Sequence, residues 1–154
     1  IYCPQACLGL AFNWGALVGW TAVTGTIEPA AIAMYAAGFF WTLGYDTIYA
    51  HQDKDDDAKI GLKSLALRLG DATPKWAKGF YTMTTLLLGI SGMLADLHWS
   101  YFVLLGLAGI HLGWQVATVK LDDAPNCLRR FKSNRDYGLL VLAAIVISHL
   151  IAIA

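Results

Sequence analysis

Residues 29–57 have the sequence PAAIAMYAAGFFWTLGYDTIYAHQDKDDD, in which an apolar run passes directly into a cluster of carboxylates. The apolar part, from Pro29 to about Ala50, has the roughly 20 residues that a helix needs to cross the hydrocarbon core of a bilayer. Asp46 is the only carboxylate deep within it. The stretch therefore predicts a membrane-spanning helix that delivers an acidic segment to one membrane surface.

The rest of the chain is equally apolar. Of its 154 residues, 57% are hydrophobic and 14% are charged, whereas a soluble domain carries about 25% charged residues. Five runs have the length of a membrane span: Pro4 to about Thr24, Pro29 to about Ala50, Pro74 to about Leu94, Trp99 to Val119, and Tyr137 to Ala154. We therefore expect an all-α fold, a polytopic membrane helical bundle of about five transmembrane helices, with residues 1–154 forming a single membrane domain.

Basic residues are confined to two connections between these runs. Six lie between the second and third runs or at their ends, and five lie between the fourth and fifth, which accounts for all 11. With five spans the two connections face the same side, and the positive-inside rule places them in the cytoplasm or matrix. The formal net charge is +0, so no overall field points to a nucleic-acid partner.

Two helix starts can be predicted in the long connection after the second run. Ser64 could cap a short amphipathic helix over residues 64–69, because a serine hydroxyl can accept a hydrogen bond from a backbone N–H of the first turn. Thr73 is a candidate cap for the third span on the same ground. A long polar connection with its own structure is more often functional than accidental.

The acidic segment predicts a metal–phosphate site. If the helix continues past Ala50, Asp53 and Asp57 are neighbours at i,i+4, with Asp56 at i+3 and with Tyr45 and Tyr49 on the same face two turns back. Like charges at this spacing repel, and a divalent cation removes the conflict. Oxygen ligands favour magnesium or calcium, and magnesium is typically held by one or two carboxylates together with substrate phosphates.

The acidic segment also fits other interpretations in part. Asp53, Asp55 and Asp57 match the first ligands of an EF-hand loop, but Ala58 and Ser64 replace its required glycine and final glutamate, which excludes that motif. A solvated acidic helix end stays open. It leaves Asp46 unexplained, since an ionisable residue inside a span predicts a functional site.

The run YDTIYAHQDKDDDAKIGLKS at residues 45–64 resembles the second aspartate-rich motif of the UbiA family of intramembrane prenyltransferases, roughly YDxxYAxxDxxDDxxxGxKS. The flanking runs GLAFNWGALVGW, AAGFFWTLGYDTIYA and CLRRFKSNRDYG resemble the branch of this family that acts on 4-hydroxybenzoate. The family fold is a nine-helix membrane bundle, and the resemblance places this chain on its last five helices. The family's first motif, roughly NDxxDxxxD, has no counterpart here, so we expect a C-terminal part of a longer enzyme.

The resemblance implies roles for individual residues. Asp53 and Asp57 correspond to magnesium-binding carboxylates, with Asp56 a lesser candidate. Tyr49 corresponds to a tyrosine of the diphosphate pocket, and Lys63 to a diphosphate contact. Tyr45 and Asp46 match the opening pair of the motif and are expected in the pocket wall. Three further polar residues have expected roles: Asn13 as a substrate contact or in an interhelical hydrogen bond, His51 as a pocket or interfacial residue, and Asp55 as a solvent-facing neighbour.

The implied function is magnesium-dependent transfer of a polyprenyl group from polyprenyl diphosphate to the ring of 4-hydroxybenzoate in ubiquinone biosynthesis. The implied partners are these two substrates, the lipid bilayer and the missing N-terminal helices. The resemblance implies a multi-pass protein of the bacterial inner membrane, with the mitochondrial inner membrane as the alternative location.

Three other functions stay open at this point. The first is a prenyltransferase with another acceptor, such as homogentisate, dihydroxynaphthoate, protohaem or a lipid phosphate. The second is a cation transporter or channel that uses Asp46 and the acidic cluster, which would predict polar residues spread through several spans. The third is a non-catalytic assembly subunit.

Overall fold

The computed structural model describes residues 4–59, 61 and 64–154, and these form helices throughout. Nine α-helices occur among the described residues: α1 (Pro4–Phe12), α2 (Trp14–Thr24), α3 (Pro29–Tyr49), α4 (Lys54–Lys59), α5 (Leu65–Leu69), α6 (Thr73–Leu94), α7 (Trp99–Thr118), α8 (Ala124–Lys132) and α9 (Asn134–Ile153). Single 3-10 turns follow α3, at Ala50–Gln52, and precede α6, at Gly70–Ala72. The all-α prediction is confirmed.

The five predicted runs all form long helical segments, but they differ in how apolar they are. Within the described chain, three stretches are long and apolar enough to cross a membrane by themselves: Pro4–Thr24, Trp99–Thr118 and Ala124–Ile153. The second and third predicted spans, α3 and α6, have 21 and 22 residues, which is about 32 Å of helix and long enough to cross. Both carry polar side chains, such as Asp46 and Lys78, that reduce their apolar character.

The centre of the bundle is the close pairing of α3 and α6. Small residues allow it: Ala30, Ala37 and Gly44 of α3 are buried. The ring of Tyr81 lies directly on the backbone at Gly44, where an added Cβ would come within 2.3 Å of the ring. Small residues at such positions let two membrane helices approach closely. α7 packs on α6 and on α9, which completes the described bundle.

The polarity of this bundle is the reverse of a soluble protein. Large apolar side chains cover the outside, among them Val23 at 87% and Ile110 at 67% exposure. Several buried residues are polar, and Gln115 is 0% exposed. Apolar surfaces of this extent are typical of contact with lipid or with further helices. The fold therefore agrees with a polytopic membrane bundle.

The two basic connections lie at the same end of the bundle, as the charge pattern predicts. Lys54 at the start of α4 forms an ion pair with Asp122 just before α8, with 2.9 Å between Lys54 Nζ and Asp122 Oδ1. α8 also packs against α3 and the 3-10 turn that follows it. The acidic segment and the second basic connection thus meet in space.

Candidate active site

The helix of the acidic motif does not continue past Tyr49. The prediction of one continuous helix through Asp57 is therefore wrong. α3 ends at Tyr49, Ala50–Gln52 form a 3-10 turn, and Asp53 has φ −110° and ψ 8° before α4 begins. The backbone N–H of Asp57 donates to the carbonyl of Asp53 at 2.9 Å. This bond restores the one-turn spacing between Asp53 and Asp57 across the break.

The two principal metal candidates differ in exposure. Asp53 is exposed and Asp57 is half-buried. Among the described side chains, no three His, Cys, Asp or Glu residues lie close enough to hold a metal ion by themselves. Two carboxylates one turn apart still fit magnesium, since it takes few protein ligands and completes its shell with water and phosphate oxygens.

Three of the predicted residues lie outside what the structure describes. Lys63, the expected diphosphate contact, is not among the described residues, and neither are the side chains of Asp55 and Asp56. Their predicted roles therefore stay predictions.

The motif tyrosines pack against a residue of the second basic connection. The ring centroid of Phe131, in α8, lies 4.5 Å from that of Tyr49 and 5.6 Å from that of Tyr45. Both tyrosines are half-buried. The sequence places them on one face of α3, and the fold turns that face toward α8. Asp46 follows Tyr45 and is half-buried within α3.

Asn13 makes the interhelical hydrogen bond that was one of its two predicted roles. It lies at the break between α1 and α2, and its Nδ2 donates to the carbonyl of Gly9 at 2.7 Å and to Thr42 Oγ1 at 3.0 Å. Asn13 also lines a cavity of about 300 Å³ inside the bundle, beside Trp41. Its side chain therefore joins α1 to α3 just above the motif.

His51 and Thr73 take structural roles. The Nε2 atom of His51 lies 2.8 Å from Thr73 Oγ1, and both residues are buried. Burial lowers the pKa of His51 below its ordinary value, and the positive charge of Lys54 acts in the same direction. Thr73 does not cap the third span, because the turn Gly70–Ala72 leads directly into α6. Ser64 does cap α5: its hydroxyl accepts from the N–H of Leu67 at 3.5 Å.

A basic pocket of about 700 Å³ lies between α3 and the corner where α8 meets α9. Its walls include three aromatic residues, Trp41, Tyr45 and Phe131. Its charged lining consists of Arg129, Lys132, Arg135 and Asp136. The pocket therefore shares Tyr45 with the acidic motif and adds positive charge to that end of the bundle.

A buried polar network supports this pocket from behind. The Oδ1 atom of Asn134 accepts from Trp41 Nε1 at 2.8 Å and from Gln115 Nε2 at 3.3 Å. Gln115 Oε1 in turn accepts from the hydroxyl of Tyr81 at 3.0 Å. The network connects α3, α6, α7 and the start of α9, so it sets the position of the corner that carries the pocket.

The sequence alone does not predict that the second basic connection packs beside the acidic motif. By itself, the run CLRRFKSNRDYG indicates only a membrane topology and a resemblance to the family. A stronger signal was present, because Arg129 and Lys132 are at i,i+3 beside Phe131 and would share one helix face. Nothing in the sequence placed that face against α3.

Comparison with known proteins identifies the family of the chain. The model of the UbiA prenyltransferase family matches residues 1–151. A 4-hydroxybenzoate polyprenyltransferase, mitochondrial, of Arabidopsis thaliana is 50% identical over 94% of this chain and 36% of the relative. The proteins of the same name in Caenorhabditis elegans and Homo sapiens are 50% and 45% identical, each over 97% of this chain, and over 42% and 40% of the relative. No solved structure matches. The chain thus spans about two fifths of the length of these relatives.

Proposed function

Because the chain belongs to the UbiA prenyltransferase family, we propose that it forms part of a 4-hydroxybenzoate polyprenyltransferase of ubiquinone biosynthesis. Support comes from relatives of that name at 45–50% identity. The observation that carries the proposal is local: Asp53 and Asp57 lie one turn apart at the end of α3, next to a pocket with aromatic and basic walls. The C-terminal position of residues 1–154 in a longer membrane domain is part of the proposal.

The described residues would divide the chemistry between them. Asp53 and Asp57 would hold magnesium, which would supply charge neutralisation for the departing diphosphate. The allylic C–O bond of the donor breaks and the electron pair leaves with the diphosphate. The ring carbon ortho to the acceptor's hydroxyl then forms the new C–C bond and releases its proton. Tyr49 and Tyr45, packed against Phe131, wall the reacting carbon from water, which would otherwise trap the cation.

The proposed location follows the same reasoning. The helices are apolar enough for membrane insertion, and the named relatives are mitochondrial proteins. We place the enzyme in an inner membrane, that of mitochondria or of a bacterial cell, where a lipid-soluble polyprenyl donor can enter from the bilayer. The other proposed partner is the remaining part of the enzyme, which would carry the first aspartate-rich motif.

The test is substitution of the two carboxylates in the complete enzyme. Asp53→Asn and Asp57→Asn keep shape but remove the charge that holds magnesium, so each should lower the rate roughly a hundred- to thousandfold, or about 2.7–4 kcal/mol. Turnover of polyprenyl diphosphate and 4-hydroxybenzoate is measured across a magnesium titration, and membrane insertion is checked for each variant.

Asp71→Asn is the matched control. Asp71 is an exposed carboxylate at the same end of the bundle, in the turn before α6. The Asp71→Asn variant should keep the rate within about twofold of that of the native enzyme, as expected of a substitution at an exposed surface position. If Asp53→Asn and Asp57→Asn lower the rate no more than Asp71→Asn does, the acidic segment is a solvated helix end and the metal assignment is wrong.

A further inference from the structure

The basic pocket has an excess of positive charge that the motif chemistry does not use. Its lining has three cationic residues, Arg129, Lys132 and Arg135, and one carboxylate, Asp136. Arg135 is paired with Asp136, with Nη2 and Nε at 3.0 and 3.1 Å from Oδ1. Arg129 and Lys132 therefore supply the remaining two positive charges. Such an excess beside aromatic walls selects a ligand with an anionic group on an apolar body.

The four basic residues of the α8–α9 corner are divided between different tasks. Arg130 points away from the pocket, with its guanidinium carbon 4.0 Å from the ring centroid of Trp114 in α7. Arg135 is held by Asp136. Among the ion pairs that the described residues form, none includes Arg129 or Lys132. Both are exposed and lie at i,i+3 on the last turns of α8, so they can approach one ligand group together.

The aromatic walls pack directly against one another. The ring centroid of Tyr45 lies 5.6 Å from that of Trp41 and 5.6 Å from that of Phe131, in edge contacts that form one continuous apolar wall. Offset and edge contacts between aromatic rings at this range are favourable. Trp41 is further held by its hydrogen bond to Asn134, so this wall is preorganised rather than adaptable.

The pocket is set apart from the carboxylates along the chain. Tyr45 lines the pocket one turn before the end of α3, and Asp53 follows only after the 3-10 turn Ala50–Gln52. That separation leaves the diphosphate to the carboxylate end and the aromatic partner to the basic end, so that the two substrates would meet between them.

We propose that this pocket binds the carboxylate-bearing end of a small aromatic acid, with Arg129 and Lys132 as the anion contacts and Trp41, Tyr45 and Phe131 as the walls for the ring. The proposal rests on the proposed function, and it assigns acceptor selection to the second basic connection. A carboxylate suits the site because arginine binds it with two parallel hydrogen bonds and lysine adds a point charge.

The test compares two acceptors in the complete enzyme, 4-hydroxybenzoate and 4-hydroxybenzamide. The first carries a negatively charged carboxylate where the second carries a neutral amide. In Arg129→Gln and Lys132→Gln, kcat/KM for the benzoate should fall about ten- to hundredfold, while that for the benzamide and the KM for the donor stay unchanged. Lys132→Arg should recover most of the loss. Lys75→Gln, an exposed lysine in the first turn of α6 at the same end of the bundle, is the control and should leave both acceptors unaffected.

A binding measurement separates this proposal from the proposed function. Titration calorimetry of the solubilised complete enzyme with 4-hydroxybenzoate alone should give a Kd that rises about tenfold in the two glutamine variants. Binding that responds to these variants without any turnover would leave the pocket assignment standing and overturn the proposed reaction. Three results would overturn the pocket assignment. In the first, the variants discriminate between the two acceptors as well as the native enzyme does. In the others, the variants raise the KM for the donor instead, or the native enzyme does not bind benzoate at all.

Discussion

Gly44 shows how strongly a single residue can constrain this bundle. It lies in α3 directly before Tyr45, and an added Cβ would come within 2.3 Å of the ring of Tyr81. Tyr81 is 3% exposed and its hydroxyl is bonded to Gln115, so the ring has no free direction in which to move. The absence of a side chain at position 44 is therefore what allows α3 and α6 to pair at this depth.

We predict that Gly44→Ala destabilises the protein by about 1–3 kcal/mol, the usual cost of overpacking a filled core. Thermal unfolding in detergent measures the change. Gly89→Ala in α6 is the matched control, because a Cβ there meets nothing within 4 Å, and alanine should raise helix stability by about 0.5–1 kcal/mol. Equal effects of the two substitutions would mean that α3 and α6 are not paired as described.

At the scale of elements, the Gln115 network decides where the α8–α9 corner lies. Gln115 is 0% exposed and bonds to Tyr81 of α6 and Asn134 of α9. Asn134 also accepts from Trp41 of α3 and donates to the carbonyl oxygens of Arg130 and Phe131. One side-chain cluster thus joins four helices and orients the end of α8 toward the motif tyrosines.

We predict that Gln115→Leu destabilises the protein by about 1–3 kcal/mol, because it leaves the Tyr81 hydroxyl and the Asn134 amide buried with fewer partners. The same variant should shift the tryptophan emission maximum of the complete enzyme. Asn134, which accepts the hydrogen bond of the Trp41 indole, would lose its own hydrogen bonds to Gln115. Thr118→Val on the same helix serves as comparison: its hydroxyl bonds only to its own helix, at Trp114 O, in the hydrogen bonds that the structure describes. A thermal shift no larger than that of Thr118→Val would contradict the network's role.

The whole molecule is organised by polarity along the membrane normal. The acidic motif, the basic pocket and the ion pair between Lys54 and Asp122 all lie at one end. The hydrogen bond and charge of Lys54 lower the pKa of Asp122 below its ordinary value. The opposite end carries the short connections at 25–28 and 95–98, which have no basic residue.

This organisation predicts a labelling pattern. In a background without Cys3, Cys7 and Cys127, single cysteines at Lys59 and Lys120 should react with an impermeant thiol reagent from the same side of the membrane. A cysteine at Thr26, in an exposed connection at the other end, should react from the opposite side. Sealed vesicles of known orientation provide the measurement. Labelling of positions 59 and 120 from different sides would exclude the five-span arrangement, because α6 and α7, which lie between these positions, could not both cross.

Much of the fold could be predicted from local pattern alone. The end of α2 and both ends of α3, α6 and α7 agree with the apolar runs to within one or two residues, because the thickness of the bilayer sets the length of an apolar helix. The break at Asn13, which divides the first run into α1 and α2, was not predicted. The one-turn spacing of Asp53 and Asp57 was also predictable, since it depends on positions four apart. The local break that replaces a continuous helix was not, because α4 and the turn before it contact α5 and α8.

The sequence by itself determined the helical class, the shared side of the two basic connections and the identity of the acidic motif, because each depends on residues close together in the chain. Only the tertiary structure decided that Phe131 packs under Tyr45 and Tyr49, that Asn134 holds Trp41, and that Arg129 and Lys132 face a pocket. Those contacts join residues about 80 to 90 positions apart. Their formation depends on how α8 and α9 dock on α3, and no local pattern of hydrophobicity or charge encodes that docking.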